Sequence, residues 1–509
     1  MIKGLRTLFA NLTKEIEDSL SKIRPYIVTT PTFETVSFGQ KIHLKLEQLQ
    51  HTGSFKCRGA FNSLLNNENA EKGVVAASGG NHGAAVAYAA QKLGIKSHIF
   101  VPELSGKTKI ELIKRTGSSL TIVPGTYAEA LEAANECQKE TGAMSVHAYD
   151  SKETIIGQGT LFCEWENQGL DADTIMIAVG GGGLISGIGA YLNKAHPNVK
   201  IIGVEAADSA GLHASINAGK RVKLKEVGLF ADGAAAKQIG KNNYELIKDF
   251  LDDSITVDTD EICAAVKDTF LETRTVPEPT GALALAGLKK YIGQKRIKNK
   301  NLIATYCGSN LNFESLGHIV ERSKIGEKKE IILSVAIDEK KGSFRKLCRD
   351  IGQKNITEFS YRKDSSSSAK ILLGLELQDS KKSKDVFLKA LKNKKYFFTD
   401  LSNDEISKKH LKFMHGGRGP QLESEFTEEV YSVDFPEKPG ALLNFLTLLK
   451  DKWDISLFHY KNQGAIYGGA LVGFTLRQNQ IKSLERDLLR ISYPFTRETE
   501  NLGYQAFLK

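Results

Sequence analysis

The chain is short of the features that mark extracellular, membrane or nucleic-acid-binding proteins. It has six cysteines in 509 residues, at positions 57, 137, 163, 263, 307 and 348, with no C-x-x-C pair. That spacing argues against a disulfide framework and a zinc site and fits a reducing compartment. No stretch approaches the roughly 20 apolar residues of a membrane span, which predicts a soluble protein. The opening MIKGLRTLFANLTKEIEDSL lacks a secretory apolar core, and Glu15, Glu17 and Asp18 are unlike an acid-poor transit peptide, so a cytoplasmic chain is expected. Charge of one sign is also scarce: 69 basic against 60 acidic residues give +9, and no basic cluster carries interleaved aromatics. Nucleic acid is therefore not an expected partner. What remains, 41% hydrophobic and 25% charged residues, is ordinary globular composition, and the length calls for several domains.

From about residue 70 to 310 short apolar runs (SHIFVPE, SLTIVPG, MSVHAYD, TIMIAVG, KIIGVEA) alternate with helical stretches such as TYAEALEAANECQKETG and DEICAAVKDTFLETRT. That alternation predicts a parallel α/β architecture, with ligands beyond the C-terminal ends of the strands. The charged stretch ERSKIGEKKE, residues 321–330, has no apolar periodicity and reads as a linker. Beyond it the chain repeats. SVAIDEKKGSFRKLCRDI from Ser334 matches SVDFPEKPGALLNFLTLL from Ser432, about 98 residues on, and a one-residue shift aligns Tyr361 with Tyr460. Two copies at that spacing predict paired α+β modules rather than a solenoid.

Three stretches can carry chemistry. VGGGGLISG sets Gly180, Gly181, Gly182 and Gly183 at a strand-to-helix turn, where backbone N–H groups and the helix dipole suit a phosphate. It lacks the Gly-Lys-Ser/Thr of a nucleotide loop and fails the G-x-G-x-x-G spacing, so nucleoside triphosphates and dinucleotides are disfavoured. Four glycines in a row imply close approach of a ligand. ASGGNHGAAVAYAA places Ser78, Gly79, Gly80, Asn81 and His82 at another helix start, where they can present donors to a carboxylate and, through Asn81, an amide to a ring hydroxyl. HTGSFKCRGA holds Lys56 among small and apolar residues, a setting that lowers a lysine's pKa and frees it as nucleophile and base. A phosphate cup, an anion-binding helix start and a reactive lysine together suggest pyridoxal 5'-phosphate.

These stretches, with GQGT (157–160), GLFADGAAAK, PEPTGALALAG and CGSNLNF in the same order, resemble the biosynthetic threonine dehydratases (threonine ammonia-lyases) among the fold type II pyridoxal phosphate enzymes. The resemblance covers essentially the whole chain. It implies a catalytic domain of two open parallel α/β subdomains over residues 1–322, a linker at 323–330, and tandem α+β ACT-like regulatory modules at 331–420 and 428–509. It makes Lys56 the Schiff-base lysine and Phe55 its neighbour against the cofactor. It gives Asn81 to the ring hydroxyl, Gly180 to Gly183 with Leu184 to the phosphate, and Cys307 to the ring nitrogen. It assigns Ser78, Gly79, Gly80 and His82 to the substrate carboxylate loop. Cys307 departs from the serine found at that place in many threonine dehydratases. The implied reaction is dehydration and deamination of L-threonine to 2-oxobutanoate and ammonia, with isoleucine as inhibitor, valine as its opponent and a homotetramer as the assembly. Effector sites are expected near Gly342, Tyr361, Gly440 and Tyr460.

Two alternatives stay open on sequence alone. A serine dehydratase or racemase shares nearly every cofactor motif. However, the racemases carry a serine where this chain has Gly79, and their divalent-metal pattern fails after Glu205, where the second acidic position falls on Gly211. The other alternative is a catalytically inactive amino-acid sensor. L-serine remains a possible substrate.

Overall fold

The structure is a computed structural model. It describes residues 11–504 except 38–39, 104, 170, 296, 298–299, 328–329, 363–367, 378–379, 405–421, 437–439, 451, 462–466, 492 and 502–503. The chain divides into two compact units, Met1–Gly326 and Glu327–Lys509. No helix among the described residues is long and apolar enough to cross a membrane.

The first unit holds two sheets, one inserted into the other. β1 (Thr32–Ser37) and β2 (Gln40–Leu46) open a six-stranded sheet as an antiparallel pair. The chain then leaves it to build a four-stranded parallel sheet from β3 (Val74–Ala77), β4 (Ser97–Pro102), β5 (Ser119–Val123) and β6 (Met144–Ser145), in the order β5-β4-β3-β6. It returns with β7 (Thr174–Ala178), β8 (Lys200–Ala206), β9 (Asp253–Val257) and β10 (Asn301–Tyr306), giving β1-β2-β10-β7-β8-β9, parallel except at β1. The apolar runs form strands because both faces are covered: every residue of β3 and β7 is buried.

The GQGT motif lies inside the helix Lys152–Glu166, where its glycines let three helices meet backbone to backbone. A Cβ on Gly157 would come 2.6 Å from Gly59 Cα, and one on Gly159 would come 2.9 Å from Gly187 O. This contact locks the helix that begins at Lys56 and the helix that follows the tetraglycine turn onto a common support.

The second unit is one antiparallel sheet. It contains β11 (Glu330–Asp338), β12 (Ile356–Arg362), β13 (Ser368–Glu376), β14 (Phe397–Asp400), β15 (Phe426–Pro436), β16 (Asp454–Lys461), β17 (Tyr467–Arg477) and β18 (Phe495–Arg497), ordered β14-β11-β13-β12-β16-β17-β15-β18. The two halves mirror each other. They join through β12 and β16, where Phe359 faces Tyr460, Ser360 faces His459 and Tyr361 faces Phe458. That register is symmetric about Ser360 and His459 when Tyr361 is equated with Tyr460, in agreement with the alignment that includes the one-residue shift.

The stretch 321–330, which the sequence suggests is a linker, contains the boundary between the two units and takes regular structure at both of its ends. The helix Ser315–Gly326 runs through its first six residues, and β11 begins at its last. The sequence is charged there because the charges have tertiary partners: Arg322 is buried and its Nε donates to Asp260 Oδ1 at 2.5 Å. Residues 328–329, and the module boundary at 420, lie outside the described residues.

Candidate active site

Lys56 opens the helix Lys56–Leu65, and the preceding loop is pinned to the end of β10 by a bond from Phe55 N to Cys307 O at 3.1 Å and a bridge between Ser54 and Gly308. Its Nζ donates to Ala148 O at 3.0 Å and stands 5.3 Å from the centroid of the Phe55 ring. Burial pushes its pKa down to about 8, against the opposing pull of Cys307 and Glu278. An amine of this kind carries about a tenth of its population as free base at pH 7, far more than an ordinary lysine, and is the better nucleophile for it. The apoprotein should therefore capture pyridoxal phosphate at a rate that rises with pH and levels off above about 8, measured by stopped-flow absorbance. A flat profile across that range would refute the lowered pKa.

Two residues on, the same helix is held by a buried ion cluster. Arg58 spans Glu47, through Nε to Oε2 at 2.8 Å and Nη2 to Oε1 at 2.7 Å, and Glu164, through Nη2 to Oε1 at 3.0 Å and Nη1 to Oε2 at 3.2 Å. Lys45 Nζ adds a bond to Glu164 Oε1 at 2.7 Å, and Arg58, Lys45 and Glu47 are fully buried. Two cations and two carboxylates cancel, and each is hydrogen-bonded, the condition under which buried charge is tolerated.

The tetraglycine turn follows β7. Among the described residues, no protein acceptor receives the backbone N–H groups of Gly180, Gly181, Gly182, Gly183, Leu184 or Ile185, whereas Val179 N is bonded to Val204 O at 2.8 Å. Six neighbouring donors at the start of the helix Gly183–Ala195 make a site for a phosphate. The glycines themselves have a different cause from the one the sequence suggests. A Cβ on Gly180 would come 2.8 Å from Ala234 Cα, one on Gly181 would run into the Tyr149 ring, and Gly182 has φ +95°. Protein packing and turn geometry thus require the missing side chains, and only the N–H groups are left for a ligand.

Ser78, Gly79, Gly80, Asn81 and His82 link β3 to the helix Asn81–Leu93. Gly80 N bonds Ser78 Oγ at 3.1 Å, while the N–H groups of Gly79, Asn81 and His82 have no protein acceptor among the described residues. The His82 ring is turned inward, with Nε2–H on Val146 O at 2.8 Å. Burial, reinforced by Lys56, lowers its pKa to about 3, so it stays neutral and offers an anion only its backbone. Cys307 is buried with Sγ 3.4 Å from Thr305 Oγ1, and burial lifts its pKa to about 12, so it is a neutral thiol.

The Asn81 amide is held at both ends: Nδ2 donates to Glu278 Oε1 at 2.5 Å, and Oδ1 accepts from Asn310 Nδ2 at 2.8 Å. Glu278 in turn lies 3.4 Å from Lys109 Nζ, which donates to Asp232 Oδ2 at 2.6 Å. None of Glu278, Lys109, Asp232, Arg58, Glu47 and Glu164 is singled out by the sequence reading. An acidic residue between Pro277 and Pro279 was an available signal for Glu278. Nothing in KTKIELIK distinguishes the buried Lys109 from its solvated neighbours.

Glu205 is occupied by the backbone, accepting from Leu212 N at 2.8 Å and His213 N at 2.7 Å. No group of three or more His, Cys, Asp or Glu able to hold a metal occurs among the described residues.

In the second unit, Gly342 and Gly440 precede equivalent helices with φ of +88° and +81°, as left-handed turns favouring glycine. Tyr361 OH donates to Glu339 Oε1 at 2.5 Å. A cavity of about 250 Å³ has Ile337, Gly342, Tyr361, Leu446, Trp453 and Asp454 in its wall. Gly440 and Tyr460 line a second one of about 20 Å³.

The amine, the six unbonded N–H groups, the fixed amide and the neutral thiol fit a phosphorylated pyridine aldehyde. Comparison with known proteins agrees. Residues 23–308 match the family described as pyridoxal-phosphate dependent enzyme. Residues 321–411 and 421–508 match the C-terminal regulatory domain of threonine dehydratase. The chain is 40% identical over 474 residues to the biosynthetic L-threonine dehydratase of Burkholderia multivorans, covering 92% of each. It is 40% identical over 469 residues to that of Escherichia coli, covering 92% of this chain and 90% of the other. Among solved structures it is similar to the processed form of threonine deaminase isoform 2 from Solanum lycopersicum, with TM-score 0.59, 34% identity, and 62% and 88% of the two chains covered. Maize serine racemase follows with TM-score 0.57, 32% identity, and 60% and 96% covered. A full-length match joined to both family profiles settles the relationship: the chain belongs to the biosynthetic threonine dehydratases, pyridoxal-phosphate-dependent enzymes with a C-terminal regulatory domain.

Proposed function

We propose that the chain converts L-threonine to 2-oxobutanoate and ammonia, the committed step toward isoleucine, and that its second unit binds an amino-acid effector that restrains it. The observation carrying this reading is the low-pKa amine of Lys56 in one unit with six unbonded N–H groups, in a chain 40% identical over 92% of its length to a biosynthetic threonine dehydratase.

Pyridoxal phosphate, when bound, supplies an aldehyde that condenses with amines and a ring that draws off the electron pair left at Cα. The N–H groups of Gly180 to Gly183 and Leu184, with Ile185 added, would hold the phosphate; Asn81 would meet the ring hydroxyl; and Phe55 would flank the ring. Cys307 would be the partner of the ring nitrogen. As a neutral thiol it does not keep that nitrogen protonated, so the electron sink is mild and suits elimination over amino-group transfer.

Lys56 anchors the cofactor, and its freed amine takes the Cα proton, its pKa of about 8 being well placed for a base near neutrality. Ser78, Gly79, Gly80 and the His82 backbone hold the substrate carboxylate. The Cα proton and the β-hydroxyl depart together as one water, and hydrolysis of the released enamine takes one water up again. The threonine atoms end as 2-oxobutanoate and ammonia. A cytoplasmic homotetramer belongs to the same reading, and the six free cysteines support its reducing compartment.

Substrate choice is tested by measuring 2-oxobutanoate from L-threonine and pyruvate from L-serine with the same holoenzyme. The extra methyl group should favour threonine in kcat/KM by about tenfold or more. Preference for serine would move the chain to the serine dehydratases.

The larger cavity of the second unit suits isoleucine, opposed by valine. Ile337, Leu446 and Trp453 offer apolar contact to a branched side chain, Asp454 a carboxylate for the ammonium group, and Gly342 a turn whose backbone can approach a carboxylate. Gly440 and Tyr460 line its counterpart. Asp454→Ala should raise the isoleucine concentration for half-inhibition by about tenfold. An unaltered inhibition curve would remove Asp454 from the effector site.

A further inference from the structure

We infer that Glu278 is a positioning residue for the cofactor pocket: it fixes which face of the Asn81 amide the bound cofactor meets. The inference rests on the reading that Asn81 meets the cofactor's ring hydroxyl.

Asn81 begins a helix beside the four-stranded sheet, whereas Glu278 immediately precedes the helix Pro279–Lys295 against the six-stranded sheet. Their side chains meet across that division, with Asn81 Nδ2 on Glu278 Oε1 at 2.5 Å and both residues buried. On its other side the amide oxygen accepts from Asn310 Nδ2 at 2.8 Å, and the same Nδ2 also donates to Thr52 O at 2.8 Å. An amide with its oxygen held by a donor and one N–H held by a carboxylate cannot flip without breaking both bonds. One N–H remains for a ligand, and the amide oxygen is kept away from an electron-rich ring oxygen.

Glu278 is itself closely seated. Its backbone N bonds Gly308 O at 3.1 Å, and a Cβ on Gly308 would come 2.6 Å from Glu278 Oε1. Its second oxygen lies 3.4 Å from Lys109 Nζ, which is buried and bonded to the half-exposed Asp232 at 2.6 Å. Asp232, Lys109, Glu278 and Asn81 therefore form a polar chain from the surface to the pocket. The carboxylate is the one member that faces both a cation and the amide. A glutamine there is poorly suited in either orientation: its amide nitrogen would face the Lys109 ammonium or the Asn81 nitrogen, both donors.

The test uses the full chain loaded with pyridoxal phosphate and reads the visible absorption and circular dichroism of the bound cofactor, together with its affinity from titration of the apoprotein. Glu278→Gln should shift the visible band and weaken cofactor binding by about tenfold. Asn81→Ala should shift it the same way, and the double variant should add little to either single change, as for two groups acting through one contact. Glu278→Asp, which keeps the charge, should recover part of the spectrum.

A wild-type spectrum and affinity in Glu278→Gln, with a changed Asn81→Ala, overturns the positioning role and leaves the Asn81 reading intact. No change in either variant overturns both. If Glu278→Gln loses its native far-ultraviolet spectrum, Asn310→Ala carries the test by freeing the other end of the amide. An unshifted band there overturns the fixed-amide inference.

Discussion

Lys56→Ala should lose the visible absorption of the covalently held cofactor, and threonine turnover should fall by at least about a thousandfold. One side chain is removed from two roles, and general-base catalysis alone is worth about a hundred- to ten-thousandfold. The phosphate donors of Gly180 to Ile185 do not depend on this side chain. The variant should still bind pyridoxal phosphate, but release it on gel filtration. The measurement is the absorption spectrum beside kcat for L-threonine. Turnover within tenfold of wild type would place the base elsewhere. His82 is a poor replacement, because it donates to Val146 O and its pKa of about 3 leaves it no useful basicity toward a carbon acid near neutrality.

Arg58→Ala is the second large effect, and it acts on stability before chemistry. It removes one cation from a fully hydrogen-bonded cluster and leaves Glu47 and Glu164 with Lys45 alone. Breaking a buried pair in this way costs about 3–5 kcal/mol, a large share of the roughly 5–15 kcal/mol that holds a typical domain together. Urea unfolding followed by far-ultraviolet circular dichroism checks the figure, and a loss below about 0.5 kcal/mol, the scale of a surface change, would contradict the role given to the cluster.

The pH dependence has a defined sign. Burial alone would raise Glu164, but Arg58 and Lys45 overcome it and hold the carboxyl below its usual range. Its stabilising contribution is therefore present above the ordinary carboxylate pKa and is lost as pH falls through the lowered folded value. Because Arg58 lies on the helix that begins at Lys56, a destabilised variant should also lose bound cofactor at lower urea than the rest of the unit unfolds.

Much of the architecture is legible because it rests on local pattern. The run TIMIAVG becomes β7 since residues covered on both faces must all be apolar, and the repeat from Ser334 and Ser432 becomes two mirrored halves of one sheet. The motif residues likewise gather where strands end: Lys56, Asn81 and Cys307 meet through Phe55, Glu278 and Asn310. What could not be read depends on distant partners. Glu164 is 106 positions from Arg58, and Glu278 is 197 from Asn81, so neither pairing leaves a periodic trace. Arg322 looks like a linker charge until Asp260 is beside it. The tetraglycine run reads as an anion site from its spacing, whereas the clashes a Cβ would make there are with Ala234 and Tyr149, which no spacing rule connects to it.

The most direct test of the central claim is the stoichiometry of products from L-threonine and the purified holoenzyme, with L-isoleucine titrated in. The account predicts one 2-oxobutanoate and one ammonia per threonine consumed, at a rate that falls as isoleucine is added. Cofactor bound through Lys56 with no 2-oxobutanoate formed, at any isoleucine concentration, would contradict it and leave an amino-acid sensor in its place.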